Sequence, residues 1–243
     1  MDELIWGRNP VLEALRAGRP FNKIMIVGGS RSSMGNVVGL AKKENIPVQF
    51  VPRNALDNLT DGANHQGVVA SLSPKKYVSV QDILAQAKSR GEAPLIVVLA
   101  GIEDPQNLGA IIRSAEAAGV HGLILPRHRA APLTGTVEKV SAGALEYIQV
   151  SRVGNLAQTL MALKKEGLWV AGADMTGELA YYEADLTGPL ALVIGGEKKG
   201  LGRLTKVCDY LIRIPMQGKI GSLNAAAAGT ILVFEVLRQR LLA

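Results

Sequence analysis

Apolar and polar positions along this chain alternate in runs of two lengths. Brief β-branched stretches at 23–27, 47–51 and 67–71 read as strands, and longer amphipathic stretches at 10–17, 34–44 and 54–61 read as helices set between them. Helices alternating with short strands predict a small three-layer α/β unit over about 4–73. From residue 94 the alternation resumes with more continuous apolar runs. Strands are expected at 95–100, 121–125, 147–151, 168–173, 190–194 and 211–214, and helices at about 108–118, 155–166 and 223–241. Strands apolar on both faces belong in a mostly parallel sheet covered by helices. Between the two regions, Ser73-Pro-Lys-Lys-Tyr-Val78 and Lys88-Ser-Arg-Gly-Glu92 have turn-forming, charged composition. That makes 74–92 a linker, with domains at 1–73 and 93–243.

Three glycine-punctuated segments stand where strands of the second region should end. They are Ile102-Glu-Asp-Pro-Gln-Asn-Leu-Gly-Ala-Ile-Ile-Arg113, Gly195-Gly-Glu-Lys-Lys-Gly200, and Ile214-Pro-Met-Gln-Gly-Lys-Ile-Gly-Ser-Leu-Asn224. Ligands of parallel α/β proteins bind beyond the carboxyl ends of strands, so three such turns imply one composite site. Gly195 and Gly200 have the spacing of a phosphate loop, but Leu201 and Gly202 follow where Lys and Ser or Thr are required, which excludes nucleotide hydrolysis by that device. No Gly-x-Gly-x-x-Gly follows a strand, so the usual dinucleotide fingerprint is missing. Paired glycines let the backbone approach a flat ligand closely. Asn107 and Ser222 each precede a helical pattern, and each is either a helix cap or a site residue. Arg113 lies in an otherwise apolar, small-residue stretch.

Composition narrows the partners. With 48% hydrophobic and 20% charged residues in 243, the chain is fully globular, and a net charge of +6 favours an anionic partner. Aromatics are only 4%, so an RNA partner would be recognised through backbone and shape more than by stacking on many rings. Arg8, Arg31, Arg53, Arg127, Arg129, Lys139 and Arg152 are the basic residues outside the motifs placed to follow a phosphodiester backbone. Cys208 is the single cysteine and reads as a small buried residue; His65, His121 and His128 lack the spacing of a metal site, and no metal is assigned. The N-terminus has no basic, apolar leader, and no run approaches the roughly 20 apolar residues that span a bilayer, so a cytoplasmic protein is expected.

The three segments, in this order, resemble the three motifs of the SpoU (TrmH-like) RNA ribose methyltransferases of the SPOUT class. Ile5-Trp-Gly-Arg-Asn-Pro-Val-Leu-Glu-Ala-Leu15 and His65-Gln-Gly-Val-Val-Ala70 resemble the substrate-binding module of the RlmB-type 23S rRNA guanosine-2′-O-methyltransferases. The resemblance implies an N-terminal L30e-like α/β domain that holds RNA and an α/β catalytic domain with a C-terminal trefoil knot. It implies S-adenosylmethionine as cofactor, ribosomal RNA as partner, and a homodimer with a shared site. Residue by residue it assigns Asn107, Arg113, Glu197, Ser222 and Asn224 to the catalytic centre, and Gly195, Gly196, Ile214, Met216 and Leu223 to the cofactor. The family usually continues its third motif as Asn-Val-Ser, whereas this chain has Asn224-Ala225-Ala226. Methylation of a tRNA ribose or of an antibiotic-protecting rRNA site, and non-catalytic RNA binding in ribosome assembly, are the alternatives.

Overall fold

Four strands of mixed direction form the N-terminal sheet: β1 (Leu4–Trp6), β2 (Phe21–Val27), β3 (Val48–Val51) and β4 (Val68–Leu72), in the order β1-β4-β2-β3. The period of two along β2 sorts its side chains between two helical layers. Ile24 and Ile26 pack with Val11 and Leu15 of α1 (Arg8–Arg16) and Val37 of α2 (Gly35–Lys43). Met25 turns to the opposite face, against Val69 and Leu56 of α3 (Arg53–Leu59). This is the expected three-layer unit, with one added strand. β1 is three residues long, too short to declare a period, and it is held by antiparallel pairing to β4.

The computed structural model describes residues 3–29, 34–196, 199–219 and 221–243. They fall into two units, Met1–Lys76 with Pro132–Gly135, and Tyr77–Ala131 with Thr136–Ala243. The stretch 74–92, expected as a linker, is largely ordered in the second unit, because α4 (Val80–Arg90) occupies most of it. Ser79 caps that helix in a reciprocal box: its hydroxyl accepts from the Asp82 N–H at 3.1 Å, and the Asp82 carboxylate accepts from the Ser79 N–H at 2.9 Å. Ile83 is fully buried among Ile96, Ile124 and Leu160, a burial worth ~1.5–3 kcal/mol. Turn-like composition at the two ends concealed a Ser-x-x-Asp start.

In the second unit seven parallel strands are ordered β7-β6-β5-β10-β8-β11-β9. They are β5 (Leu95–Ala100), β6 (Gly122–Pro126), β7 (Gln149–Val153), β8 (Trp169–Ala173), β9 (Leu179–Ala180), β10 (Leu190–Gly195) and β11 (Tyr210–Arg213). The helices are α5 (Pro105–Ala117), α6 (Gly135–Val140), α7 (Ala144–Tyr147), α8 (Leu156–Lys165) and α9 (Ala225–Leu242), with a 3-10 turn at Gly202–Lys206. Ala191 and Val193 of β10 join Ile96, Val98 and Val170 in a core on one face. On the other, α5 and α9 pack side by side, joined by a 2.7 Å hydrogen bond between the hydroxyls of Ser114 and Thr230. Each of the last two long strands lies between two strands laid down earlier, β10 between β5 and β8 and β11 between β8 and β9.

The His65-Gln-Gly67 motif has a local structural purpose. Gly67 N–H donates to His65 Nδ1 at 3.0 Å, so Nε2 carries the hydrogen that meets Asp57 Oδ1 at 2.9 Å. The buried imidazole thereby holds a turn in which Gln66 takes φ +50°. From there Gln66 Oε1 accepts from the Arg8 N–H at 3.1 Å, supplying the cap that Gly7 at the start of α1 lacks.

Candidate functional site

The register of the sheet brings the strand ends level. Gly195 pairs with Ala100 of β5, and Ala173 of β8 pairs with Ile194 on one side and Ile212 of β11 on the other. Because all of these strands run the same way, the loops that follow them emerge at one end of the sheet. There they line a cavity of about 350 Å³. Gly195, Gly196, Ile214, Met216 and Leu223, the five residues singled out for the cofactor, all line it, and so does Ser222.

The paired glycines are a steric requirement of this end. Gly196 N–H continues the pairing to the Ala100 carbonyl at 2.9 Å, and Gly200 N–H closes the loop onto the Gly196 carbonyl at 2.9 Å. A Cβ on Gly195 would overlap the backbone of Gly200, and one on Gly196 would overlap the carbonyl of Gly101. Any side chain at either position would have to part backbone from backbone. The result is a wall of bare main chain facing Ile212 and Ile214, an arrangement suited to a flat ring held by peptide groups and aliphatic side chains.

Beside the cavity the first and third segments are joined. Asn224 Nδ2 donates to Asn107 Oδ1 at 2.8 Å, while Asn224 Oδ1 accepts from the N–H groups of Ala226 at 2.9 Å and Ala227 at 3.2 Å. Asn224 is therefore the N-cap of α9, and Ser222 is not. Asn107 is not a cap either. Asp104 caps α5, its carboxylate accepting from Gln106 N–H at 3.0 Å, with Pro105 at the first helical position, so the helix begins three residues earlier than its apolar pattern suggests. Asn107 then projects from the first turn, where it meets Asn224. Arg113 is exposed on α5, about 9 Å farther along the axis, and does not line the cavity. Glu197 lies outside the described residues. Ala226, which stands where the motif it resembles has serine, is buried in the first turn of α9.

Asp174, Met175 and Ala173 also line the cavity and were not singled out from the sequence. The available signal was the one used for the other loops, since Asp174 directly follows a strand. Cys208 is half-buried; burial pushes its thiol up to about 11, and Sγ donates to the Leu204 carbonyl at 3.3 Å, so it is no nucleophile. His121 is buried with both ring nitrogens engaged. Nδ1 accepts from Leu95 N–H at 3.0 Å and Nε2 meets Glu92 Oε2 at 2.9 Å, and desolvation holds its pKa below the ordinary value of 6.5. Among the described residues no group of three or more His, Cys, Asp or Glu could hold a metal ion, and no helix is long and apolar enough to cross a membrane.

The basic residues are divided between the units. Arg8 and Arg53 are exposed in the first, Arg129 and Lys139 at the surface beyond β6 and on α6. Arg152 is committed within the fold, its guanidinium 4.3 Å from the centre of the Tyr77 ring. Arg31 lies outside the described residues.

Residues 94–234 match the model of the SpoU rRNA methylase family, and residues 4–78 match that of the RNA 2′-O ribose methyltransferase substrate-binding domain. A Bacillus subtilis protein named as a TrmH family tRNA/rRNA methyltransferase is 44% identical over 98% of this chain and 96% of its own. An AdoMet-bound rRNA methyltransferase from Sinorhizobium meliloti superposes with a TM-score of 0.62 at 28% identity, covering 97% of this chain and 86% of that one. A TrmH/SpoU tRNA modifying enzyme from A. aeolicus reaches a TM-score of 0.57 at 27% identity, covering 66% of this chain and 85% of its own.

Proposed function

Because this chain belongs to the SpoU/TrmH family of S-adenosylmethionine-dependent RNA 2′-O-ribose methyltransferases, we propose that its substrate is a guanosine ribose of 23S ribosomal RNA. The observation that carries the reading is the meeting of residues from three distant segments at one end of the sheet, with Gly195, Gly196, Ile214, Met216 and Leu223 around the cavity and the Asn107–Asn224 pair beside it. The choice of ribosomal RNA is supported by coverage. The rRNA methyltransferase of S. meliloti matches nearly the whole chain, and the tRNA modifying enzyme of A. aeolicus about two thirds of it. The N-terminal unit is the RNA-holding domain in this reading.

When bound, the cofactor supplies a methyl group on a sulfonium, an electrophile that needs no further activation. The protein has to present the ribose hydroxyl in line, and positioning of this kind can account for ~7–11 kcal/mol of a barrier. In this reading Asn107 and Asn224, hydrogen-bonded to each other and, through Asn224, to the start of α9, orient that hydroxyl. Arg113 is the group for the phosphate and the developing alkoxide; a guanidinium holds its own proton too firmly to act as the base, so the hydroxyl proton leaves to water as the methyl passes from sulfur to oxygen. Its exposed position away from the cavity fits a site completed across a homodimer, for which the exposed Phe234 and Leu241 of α9 offer apolar surface. The trefoil knot implied by the resemblance belongs to the loops after β10 and β11.

The test is methyl transfer from labelled S-adenosylmethionine into unmodified 23S rRNA and, separately, into unmodified tRNA. Incorporation at a guanosine 2′-hydroxyl of the rRNA is expected. Transfer to tRNA alone would replace this substrate, and RNA binding without transfer would replace the enzyme by a binding protein.

A further inference from the structure

Asp174 is the one charged side chain among the described residues that line the cavity, whose other members are Gly, Ala, Ser, Met, Ile and Leu. It stands immediately after β8, where its backbone N–H donates to the Ile212 carbonyl at 3.0 Å. Half of its carboxylate is already committed. Oδ1 accepts from the Thr176 N–H at 3.0 Å and from the Thr176 hydroxyl at 2.7 Å, which fixes the rotamer. Oδ2 faces the glycine wall, 3.9 Å from where a Cβ on Gly200 would lie, and has no hydrogen-bond partner among the described residues. A carboxylate with one oxygen anchored and the other open, half-buried between aliphatic and bare-backbone walls, is an acceptor awaiting a donor.

We infer that Asp174 is a cofactor-binding residue, its Oδ2 accepting hydrogen bonds from a donor of the adenosyl cofactor. This rests on S-adenosylmethionine occupying the cavity. Three donor sets of that molecule have the required chemistry, the ribose cis-diol, the adenine 6-amino group and the amino-acid ammonium. All three persist in S-adenosylhomocysteine, and only the diol and the 6-amino group persist in 5′-methylthioadenosine, so these two ligands separate the nucleoside from the amino-acid end. The residue differs in kind from the other cavity residues. Gly195 and Gly196 admit the ligand by what they lack, whereas Asp174 would select for polarity and charge inside an otherwise neutral pocket.

Asp174→Asn is the informative variant, because its amide oxygen can still accept from Thr176 while an NH₂ replaces Oδ2. Calorimetry on the full chain with S-adenosylhomocysteine should give an affinity at least ~10-fold weaker than wild type, about 1.4 kcal/mol, with the thermal midpoint unchanged. An equal loss with methylthioadenosine identifies a nucleoside donor, and a loss confined to S-adenosylhomocysteine identifies the ammonium. Affinities within about twofold of wild type for both ligands would overturn the inference. Should the variant fail to fold, wild-type protein serves: 2′,3′-dideoxy-5′-methylthioadenosine, 5′-methylthioinosine and N-acetyl-S-adenosylhomocysteine each remove one donor set, and binding of all three equal to that of their parents overturns it as well. A wild-type protein that binds no S-adenosylhomocysteine sinks the cofactor reading itself, a separate outcome from an unaffected Asp174→Asn.

Discussion

In the N-terminal unit four strands of mixed direction carry helices on both faces, and the basic side chains Arg8 and Arg53 stand in solvent. In the second unit seven strands run one way, and the loops after β8, β10 and β11 close around a cavity. The same parts, short apolar strands and amphipathic helices, thus build a surface in one case and a recessed, open-mouthed site in the other. Strand direction makes the difference. A parallel sheet sends successive carboxyl ends to one side, so residues far apart in sequence become neighbours there; a mixed sheet divides them between two ends. Function in the first unit should therefore depend on exposed charge, tolerant of single changes, and in the second on backbone fit, intolerant of a single methyl.

The largest expected effect comes from adding that methyl. Gly196→Ala should weaken S-adenosylhomocysteine binding by ~100-fold or more, about 2.7 kcal/mol, because the new Cβ meets the Gly101 carbonyl, backbone that directly follows the Ala100–Gly196 hydrogen bond. The companion change Gly39→Ala, on the exposed side of α2 with nothing within 4 Å of the added atom, should leave binding alone and stabilise the helix by up to ~1 kcal/mol. Equal tolerance at both positions would erase the distinction between the units. Calorimetry and urea unfolding read the two effects.

Next in size is Arg113→Ala, for which single-turnover methylation should fall at least ~10-fold while cofactor affinity holds, since the side chain does not line the cavity. Arg113→Lys should restore little, because an ammonium lacks the planar fork. A variant with wild-type turnover would remove Arg113 from the catalytic centre. Smaller still is the double change Arg8→Ala with Arg53→Ala in the first unit. RNA affinity should drop several-fold, and the slope of log affinity against log salt should become shallower by ~0.7–0.9 for each phosphate that is no longer neutralised. An unchanged slope would mean that these charges face solvent and nothing else.

The smallest effect is on stability and belongs to His121. Its pKa in the folded protein is lowered by desolvation, so below about 6.5 the unfolded chain takes up a proton that the folded chain resists. Stability contributed above that value is lost as pH falls through it, and one proton limits the slope to ~1.4 kcal/mol per pH unit. Urea midpoints measured from pH 7.5 to pH 5 should decline in wild type. His121→Asn, which keeps an acceptor but cannot titrate, should start less stable and decline less steeply.

The sequence was legible where local chemistry repeats. The alternation over 95–100 and 190–194 located the central strands β5 and β10 within a residue, and the glycine pair at 195–196 was placed correctly at a strand end. It was misread where local chemistry was brief or disguised. β1 is too short to show a period, α4 hides between turn-like ends, and the start of α5 is marked by Asp104-Pro105 and not by the apolar pattern. Asp174 escaped notice because a lone carboxylate after a strand usually means a solvated turn, and most of its surroundings are contributed by residues 20 to 54 positions away.

By itself, then, the chain's order of residues determined most of the strands and the longer helices, that the second sheet would be mostly parallel, and that a glycine pair stands where a strand ends. Those follow from periodicity and from the steric demands of single residues. Strand order was decided only by tertiary structure. β10 lies between β5 and β8, and β11 between β8 and β9, because apolar faces of equal hydrophobicity do not name their neighbours. The same holds for the bond that joins Asn107 to Asn224 across 117 positions. A hydrogen bond of that span is set by where two helices start once the sheet is assembled, and nothing local to either asparagine encodes it.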